Sequence, residues 1–192
     1  MQRQLFIMVK EPQAGRVKTR LGADIGMTTA AWWFRHQVQR LIRKLARDPR
    51  WVTVLAVSPD RAGLESSVWP VDVFRTPQGQ GNLGDRMARI FRGATKGPVV
   101  IVGADIPDIT PALIEKAFRA LGRHDVVFGP AHDGGYWLIG LKRSRGIPPD
   151  LFANVRWSTQ HALADTQATL GNGRVAFIDT LRDVDNVNDL DA

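Results

Sequence analysis

The sequence predicts a three-layer α/β/α sandwich around a mostly parallel, mixed sheet, and three observations predict it. Short apolar runs alternate with amphipathic helical stretches along a chain of 192 residues. Runs such as 4–9 and 98–102 are continuously apolar or rich in β-branched residues, the pattern of strands covered on both faces. The stretches between strands are long enough for crossover helices.

Taken in order, 4–9 is a buried strand and 28–47 an amphipathic helix in which Ala31, Phe34, Val38, Leu41, Ile42 and Leu45 keep a helical apolar spacing. Residues 51–57 and 71–75 are further strands, the first closed by the turn signal Ser58, Pro59, Asp60. A helix over 82–94 leads to a short strand at 98–102. Thr110 then caps a helix with Pro111 in its first turn, running to about Leu121. Strands at 125–128 and 136–141 flank the loop GPAHDGG, and a helix over 158–170 precedes a last strand at 174–178. There is no repeat, low-complexity segment or boundary, so 1–192 reads as a single domain.

Composition narrows the function classes. No apolar run approaches the ~20 residues of a membrane span and no signal pattern opens the chain, which points to a cytoplasmic protein. The absence of cysteine excludes disulfides, thiolate metal sites and cysteine nucleophiles. The net charge of +7, from 26 basic and 19 acidic residues, suits nucleic acid or a small phosphorylated ligand. Much of the excess lies on 31–50, where Arg35, Gln39, Arg43, Lys44 and Arg47 fall mostly off the apolar stripe. That stretch reads as the solvated face of a helix, with nucleic-acid binding as the alternative.

In an open α/β sheet ligands bind beyond the carboxyl ends of the strands. Three segments there are unusual. In FIMVKEPQAGRVKTRLG, Gly15 permits a tight turn while Lys10, Arg16, Lys18 and Arg20 can surround a polyphosphate; the alternative is a flexible basic loop. In VVIVGADIPDITP, Asp105 ends an apolar strand, where a carboxylate can hold a hard divalent cation or merely cap the next turn. In LRDVDNVNDL, Asp183 and Asp185 alternate, so an extended segment turns both to one face, where either could complete a metal site; the alternative is a solvated tail.

GQGNLG, residues 79–84, argues for something else. It matches GxGxxG, follows a strand, precedes a helix and has Asp105 about twenty residues further on, as in a dinucleotide-binding fingerprint. Against an NAD-dependent oxidoreductase, Thr76, Pro77 and Gln78 separate the expected strand from the glycines, and the unit is third in the chain rather than first. The P-loop pattern GxxxxGK[ST] is absent.

Together KEPQAGRVKTRL, QGQGNLGDRM, GADIPDI, GPAHDGGYWLIG and DVDNVNDL resemble an uncharacterised bacterial family with the nucleotide-diphospho-sugar transferase (GT-A-like) fold, labelled glycosyltransferase-like. The first loop is similar to those of 2-phospholactate guanylyltransferase and, more distantly, molybdenum-cofactor guanylyltransferase. There a lysine precedes the loop and a lysine, small residue, arginine and leucine close it, matched here by Lys10 and by Lys18, Thr19, Arg20 and Leu21.

The resemblance implies roles for particular residues. Arg16, Lys18 and Arg20 would hold nucleotide phosphates, and Gln78, Gln80 and Gly81 would approach the base. Asp105 would bind Mg²⁺ or Mn²⁺, with Asp185 as the second carboxylate and Asp183 as its alternative. Asp133, Gly134 and Gly135 would lie near the acceptor or sugar. The family tail usually has Thr-Pro-Glu before Asp-Leu, where this chain has Asn186, Val187 and Asn188. The expected activity is Mg²⁺-dependent transfer of a nucleotidyl group from a nucleoside triphosphate to a small phosphorylated acceptor, releasing pyrophosphate, with Lys18, Arg20 and Asp105 as catalytic groups. Alternatives are a glycosyltransferase with a nucleotide-sugar donor and a sugar acceptor, and a non-catalytic nucleotide-binding module. His132, Trp137 and Trp157 read first as surface or packing residues, with acid-base or stacking roles as alternatives.

Overall fold

The structure is a computed structural model that describes residues 1–144 and 146–190. In chain order its elements are β1 (Gln4–Lys10), α1 (Thr19–Ile25), α2 (Met27–Ala46), β2 (Val52–Ser58), α3 (Asp60–Glu65), β3 (Phe74–Pro77) and α4 (Leu83–Gly93). Then follow β4 (Val99–Val102), α5 (Pro111–Arg123), β5 (Val126–Pro130), β6 (Tyr136–Leu141), α6 (Ala162–Ala168) and β7 (Val175–Phe177). The seven strands form one sheet in the order β3-β2-β1-β4-β6-β5-β7, parallel except for β6, which runs against both β4 and β5.

Strand alternation builds the two apolar layers. Leu5, Ile7 and Val9 of β1 face a core shared with the stripe of α2 and with Ile114, Ala117, Phe118 and Leu121 of α5. Phe6 and Met8 face the other way, toward Met87, Ile90 and Phe91 of α4 and Ala162 of α6. The sheet is therefore covered on both faces by helices, which is the expected sandwich. On α2 the six spaced apolar residues are all buried, while Arg35, Arg43 and Arg47 are exposed. Thr110 caps α5 as expected, its Oγ1 accepting the Leu113 N–H at 3.3 Å.

Connectivity places the cleft. The chain builds β1, β2 and β3 outward in one direction and then returns to lay β4 on the other side of β1. The order thus reverses between β1 and β4, and loops leaving those two strands must diverge and open a crevice. Lys10 ends one strand and Asp105 follows the other.

Three local expectations need correction. The strand expected at 71–75 lies at Phe74–Pro77, paired with Val54–Val57 of β2. The alternation in VDVFR misleads because Val71 is solvent-exposed loop, while Arg75 gathers that loop by donating to the carbonyls of Leu64, Ser66 and Trp69. The basic loop contains the short helix α1, which no side chain caps. The Ser58, Pro59, Asp60 turn signal closes β2 as expected and leads into the six-residue helix α3. The helix expected over 158–170 shrinks to Ala162–Ala168 because Thr159 turns back on Arg156, its hydroxyl donating to the Arg156 carbonyl at 2.8 Å. Among the described residues no helix is long and apolar enough to cross a membrane.

Candidate active site

The first loop is fixed by one buried apolar residue and one unusual backbone conformation. Val17 is buried in the core, and Lys18, the residue before α1, has φ 45° and ψ 49°. A lysine in the left-handed region costs roughly 1 kcal/mol, so its surroundings must over-determine it. They do so through charge. Lys18 Nζ donates to Asp105 Oδ2 at 2.7 Å and to Asp185 Oδ1 at 3.3 Å, and Arg20 Nη1 donates to Asp185 Oδ2 at 2.7 Å. The Lys18 side chain is only 7% exposed, whereas Asp105 and Asp185 are 36% and 37% exposed. Burial pulls the Lys18 ammonium down, but the two carboxylates outweigh it and hold its pKa above the ordinary lysine value.

The tail is held against α1, α2 and the loop after β4 by an apolar residue between its two aspartates. Val184 is buried against Leu21 and Ala30, and its N–H donates to the Asp105 carbonyl at 3.4 Å. Asp189 Oδ2 accepts the N–H groups of Asp185 and Asn186, and Asn186 caps the short 3-10 turn Val187–Asp189. The residues that depart from the family's tail pattern thus form a capped turn immediately behind Asp185. Burial first, then repulsion from Asp185 and Asp105, pushes the Asp183 carboxyl above its ordinary range. Replacing Val184 with alanine should cost about 1 to 3 kcal/mol from lost burial and should loosen Asp183 and Asp185 together. Thermal denaturation with and without Mg²⁺ checks this; an unchanged melting temperature would mean that Val184 does not anchor the tail.

A cleft of about 550 Å³ opens over this cluster, with Lys10, Arg16, Lys18 and Arg20 on its wall and Met8, Phe34 and Met87 on its floor. It adjoins a second lobe of about 430 Å³, lined in part by Asp133, Gly135, Trp157, Thr159 and Asp183. Arg20, Asp105, Tyr136, Trp137 and Asp185 line both and form the seam between them. Among the described residues no three carboxylate or imidazole side chains converge as a formed metal centre; the cation between Asp105 and Asp185 is the Lys18 ammonium.

Other expected site residues are placed as follows. Gly15 adopts φ 73° in the exposed turn but does not line the cleft. Gln78 lines it with its amide committed to the scaffold: Nε2 donates to the carbonyls of Val9 at 3.1 Å and Ala56 at 2.7 Å, tying the ends of β1 and β2 together. Gln80 and Gly81 face a separate groove with Asp85 and Arg89. Gly134 has φ 85°, and any β-carbon there would run into the Gln160 backbone, so the DGG loop is clamped onto the approach to α6. Trp137 is buried and donates from Nε1 to the Asp179 carbonyl, a packing role; His132 is exposed. Sequence reasoning missed Tyr136, the only tyrosine, at the start of β6 on the seam. Its position directly after two glycines was the available signal. Burial raises its pKa, and its hydroxyl lies 3.3 Å from Thr166 Oγ1.

The GxGxxG segment has a structural account. Because β3 extends to Pro77, Gln78 alone separates strand from glycines, closer to a dinucleotide fingerprint than the sequence suggested. The helix end is nevertheless closed. Asn82 accepts the Asp85 N–H, and Asp85 Oδ2 accepts the Asn82 N–H, so a carboxylate occupies the anion position at the start of α4. Gly84 lets the helix pack on Phe152 and Trp157. The unit also lies on the outermost strand, away from the reversal of strand order. NAD and NADP should therefore show no saturable binding by calorimetry, and micromolar affinity for either would reinstate the dinucleotide reading.

The sequence profile of a family described as "Uncharacterized protein conserved in bacteria (DUF2064)" matches residues 41–159. The chain belongs to this family. A solved candidate nucleotide-diphospho-sugar transferase from Desulfovibrio desulfuricans G20 is 32% identical, covers 99% of this chain and 85% of its own, and superposes with a TM-score of 0.84. The fold is therefore that of the nucleotide-diphospho-sugar transferases. Two more distant structures share it. CMP:2-keto-3-deoxy-manno-octonic acid synthetase, solved with CTP, is 12% identical over 100% of this chain and 96% of its own, with a TM-score of 0.59. Rv0371c from Mycobacterium tuberculosis H37Rv, solved with manganese, is 15% identical over the same shares, with a TM-score of 0.54. None of the curated proteins matches this chain.

Proposed function

We propose that the cleft binds a nucleotide by its phosphates with a divalent cation, and that the protein is a nucleotidyltransferase joining a nucleoside triphosphate to a small acceptor with release of pyrophosphate. By its likeness to the Desulfovibrio protein the chain is an enzyme of the transferase class. One observation carries the finer reading: Lys10, Arg16, Lys18 and Arg20 line one cleft with Asp105 and Asp185, at the point where strand order reverses. Cations alone would hold an anion. The added carboxylates would repel it unless a metal lies between, and oxygen donors on two segments suit Mg²⁺ or Mn²⁺.

Asp105 and Asp185 already grip a cation, the Lys18 ammonium, so this donor pair fits the ion; Asp183 lies close enough to feel their charge. When bound, the ion would neutralise phosphate charge and polarise the transferred phosphoryl group. Lys18 would then be free to turn from the carboxylates to the phosphates. Arg16 and Arg20 line the route to the same anion and would hold the leaving pyrophosphate. Binding both substrates in adjoining lobes would align attacking and leaving oxygens, and the apolar floor would limit water.

A glycosyltransferase reading uses the same parts with a nucleotide-diphosphate sugar. The relationship to the Desulfovibrio protein favours it; the four-cation wall favours the more highly charged triphosphate. A thermal-shift panel of nucleoside triphosphates and nucleotide sugars, with and without Mg²⁺, tests the proposal. Stabilisation by a triphosphate only with Mg²⁺ is the expected result. Stabilisation by nucleotide sugars alone transfers the assignment to glycosyl transfer, and none by either removes this function.

A further inference from the structure

The second lobe differs from the first in charge, and the difference bears on the acceptor. Its lining includes Asp105, Asp133, Asp183 and Asp185, against one lining cation, Arg20, which already donates to Asp185. All four cations of the basic wall, by contrast, line the first lobe. A divalent ion on Asp105 and Asp185 would still leave Asp133 and Asp183 facing any acceptor. A phosphate or carboxylate placed there would meet these with one committed arginine to offset them, and like-charge juxtaposition across an interface costs several kcal/mol.

The remaining lining suits a different chemistry. Trp157 is half-buried, wedged between Phe152 and Tyr136 at centroid distances of 5.9 and 6.4 Å, and contributes an aromatic wall. Ser158 and Thr159 bring hydroxyls to the same lobe. Asp133 is held in place: its Oδ1 accepts the Gly135 N–H at 2.9 Å, and the Gly134 carbonyl accepts from Leu163 of α6 at 3.1 Å. Fixed carboxylates that accept from hydroxyl groups, beside an aromatic face, recognise polyhydroxylated rings.

The geometry points to an acceptor that is an uncharged or amine-bearing polyhydroxy compound, sugar-like and without a phosphate or carboxylate, whose own hydroxyl is the nucleophile. This rests on the nucleotide reading of the adjoining lobe and replaces the phosphorylated acceptor expected from the sequence. The acceptor oxygen forms a bond to the α-phosphorus. The bond from that phosphorus to the bridging oxygen breaks, its electron pair leaving with pyrophosphate, and the hydroxyl proton passes to water. With a nucleotide-sugar donor the same hydroxyl attacks the sugar carbon and the nucleoside diphosphate leaves.

Matched pairs test it: glycerol with glycerol 3-phosphate, glucose with glucose 1-phosphate, and glucosamine with glucosamine 6-phosphate. Each is titrated by saturation-transfer NMR into the full chain with Mg²⁺, once without nucleotide and once with a non-hydrolysable triphosphate analogue. The unphosphorylated member of at least one pair should bind at least about tenfold more tightly than its phosphorylated partner, and Asp133→Lys should reverse that preference. Asp133→Asn, which keeps the shape, should narrow it. Tighter binding of the phosphorylated members, binding of neither, or a preference indifferent to both Asp133 variants would each overturn the assignment. The analogue's own binding is read separately, so a protein that ignores the nucleotide but still prefers the unphosphorylated sugar would defeat the nucleotide reading and leave the lobe's preference standing.

Discussion

Replacing Lys18 with methionine should move two affinities in opposite directions. Triphosphate binding in the presence of Mg²⁺ should fall about 10- to 100-fold, the loss of a charged hydrogen bond worth about 1.5–3 kcal/mol. Mn²⁺ binding without nucleotide should instead rise by roughly tenfold, because the ammonium that bridges Asp105 and Asp185 is gone and nothing competes for their oxygens. Methionine keeps most of the stem's apolar volume in a place where the side chain is nearly buried. Isothermal calorimetry with Mn²⁺ alone and with triphosphate reads both affinities. A fall in both would mean that Lys18 supports the carboxylates structurally rather than contending with the metal. Arg20→Ala should weaken triphosphate binding in the same sense but less, because its side chain is largely exposed.

Asp105→Asn should have the larger effect on metal dependence. The change removes one negative charge at almost constant volume, on a residue a third exposed, so the fold should persist with a melting temperature close to that of the parent. The Mg²⁺-dependent part of nucleotide binding should fall by about one to two orders of magnitude, on the scale of losing one charged ligand or its hydrogen bonds. Asp185→Asn should act in the same direction, and more weakly if Asp183 can replace it from the other side of Val184. Thermal shift measured across a Mg²⁺ titration separates the two aspartates. An Asp105→Asn protein with undiminished metal dependence would remove that residue from the site.

The parts of this molecule legible in its sequence are those where local pattern and tertiary environment agree. The apolar stripe of α2 was readable from its helical spacing and the Thr110 and Pro111 start of α5 from its cap chemistry, while the continuous runs of β1 and β4 were readable because burial on both faces of the sheet leaves no other explanation for such residues. The edge strand was misplaced because Val71 and Val73 alternate without pairing, and only tertiary contacts with Arg75 decide where pairing begins. The helix α1 was hidden because its seven residues carry no side-chain cap and begin from a left-handed lysine, for which residue type gives no signal.

The candidate site divides in the same way. The basic loop, Asp105 and Asp185 could be selected because each follows a strand or forms an unusual charge pattern, and the structure brings Lys18, Arg20, Asp105 and Asp185 into one cluster. Gln80 and Gly81 could not be located from sequence alone, since the direction in which their loop faces depends on Arg89 donating to the carbonyls of Gln78 and Gln80. The charge difference between the two lobes was equally hidden, because Asp133 and Asp183 lie far apart in the chain and share a cavity only once the tail has docked through Val184.

The most direct test of the central claim is a crystal structure of the full chain grown with a nucleoside triphosphate and Mn²⁺, with the ion located by its anomalous signal. The account predicts Mn²⁺ bound by Asp105 with Asp185 or Asp183, the triphosphate along Arg16, Lys18 and Arg20, and the Lys18 ammonium moved from the carboxylates onto a phosphate. A manganese ion held without Asp105, or a triphosphate seated in the Gln80 and Arg89 groove, would contradict it.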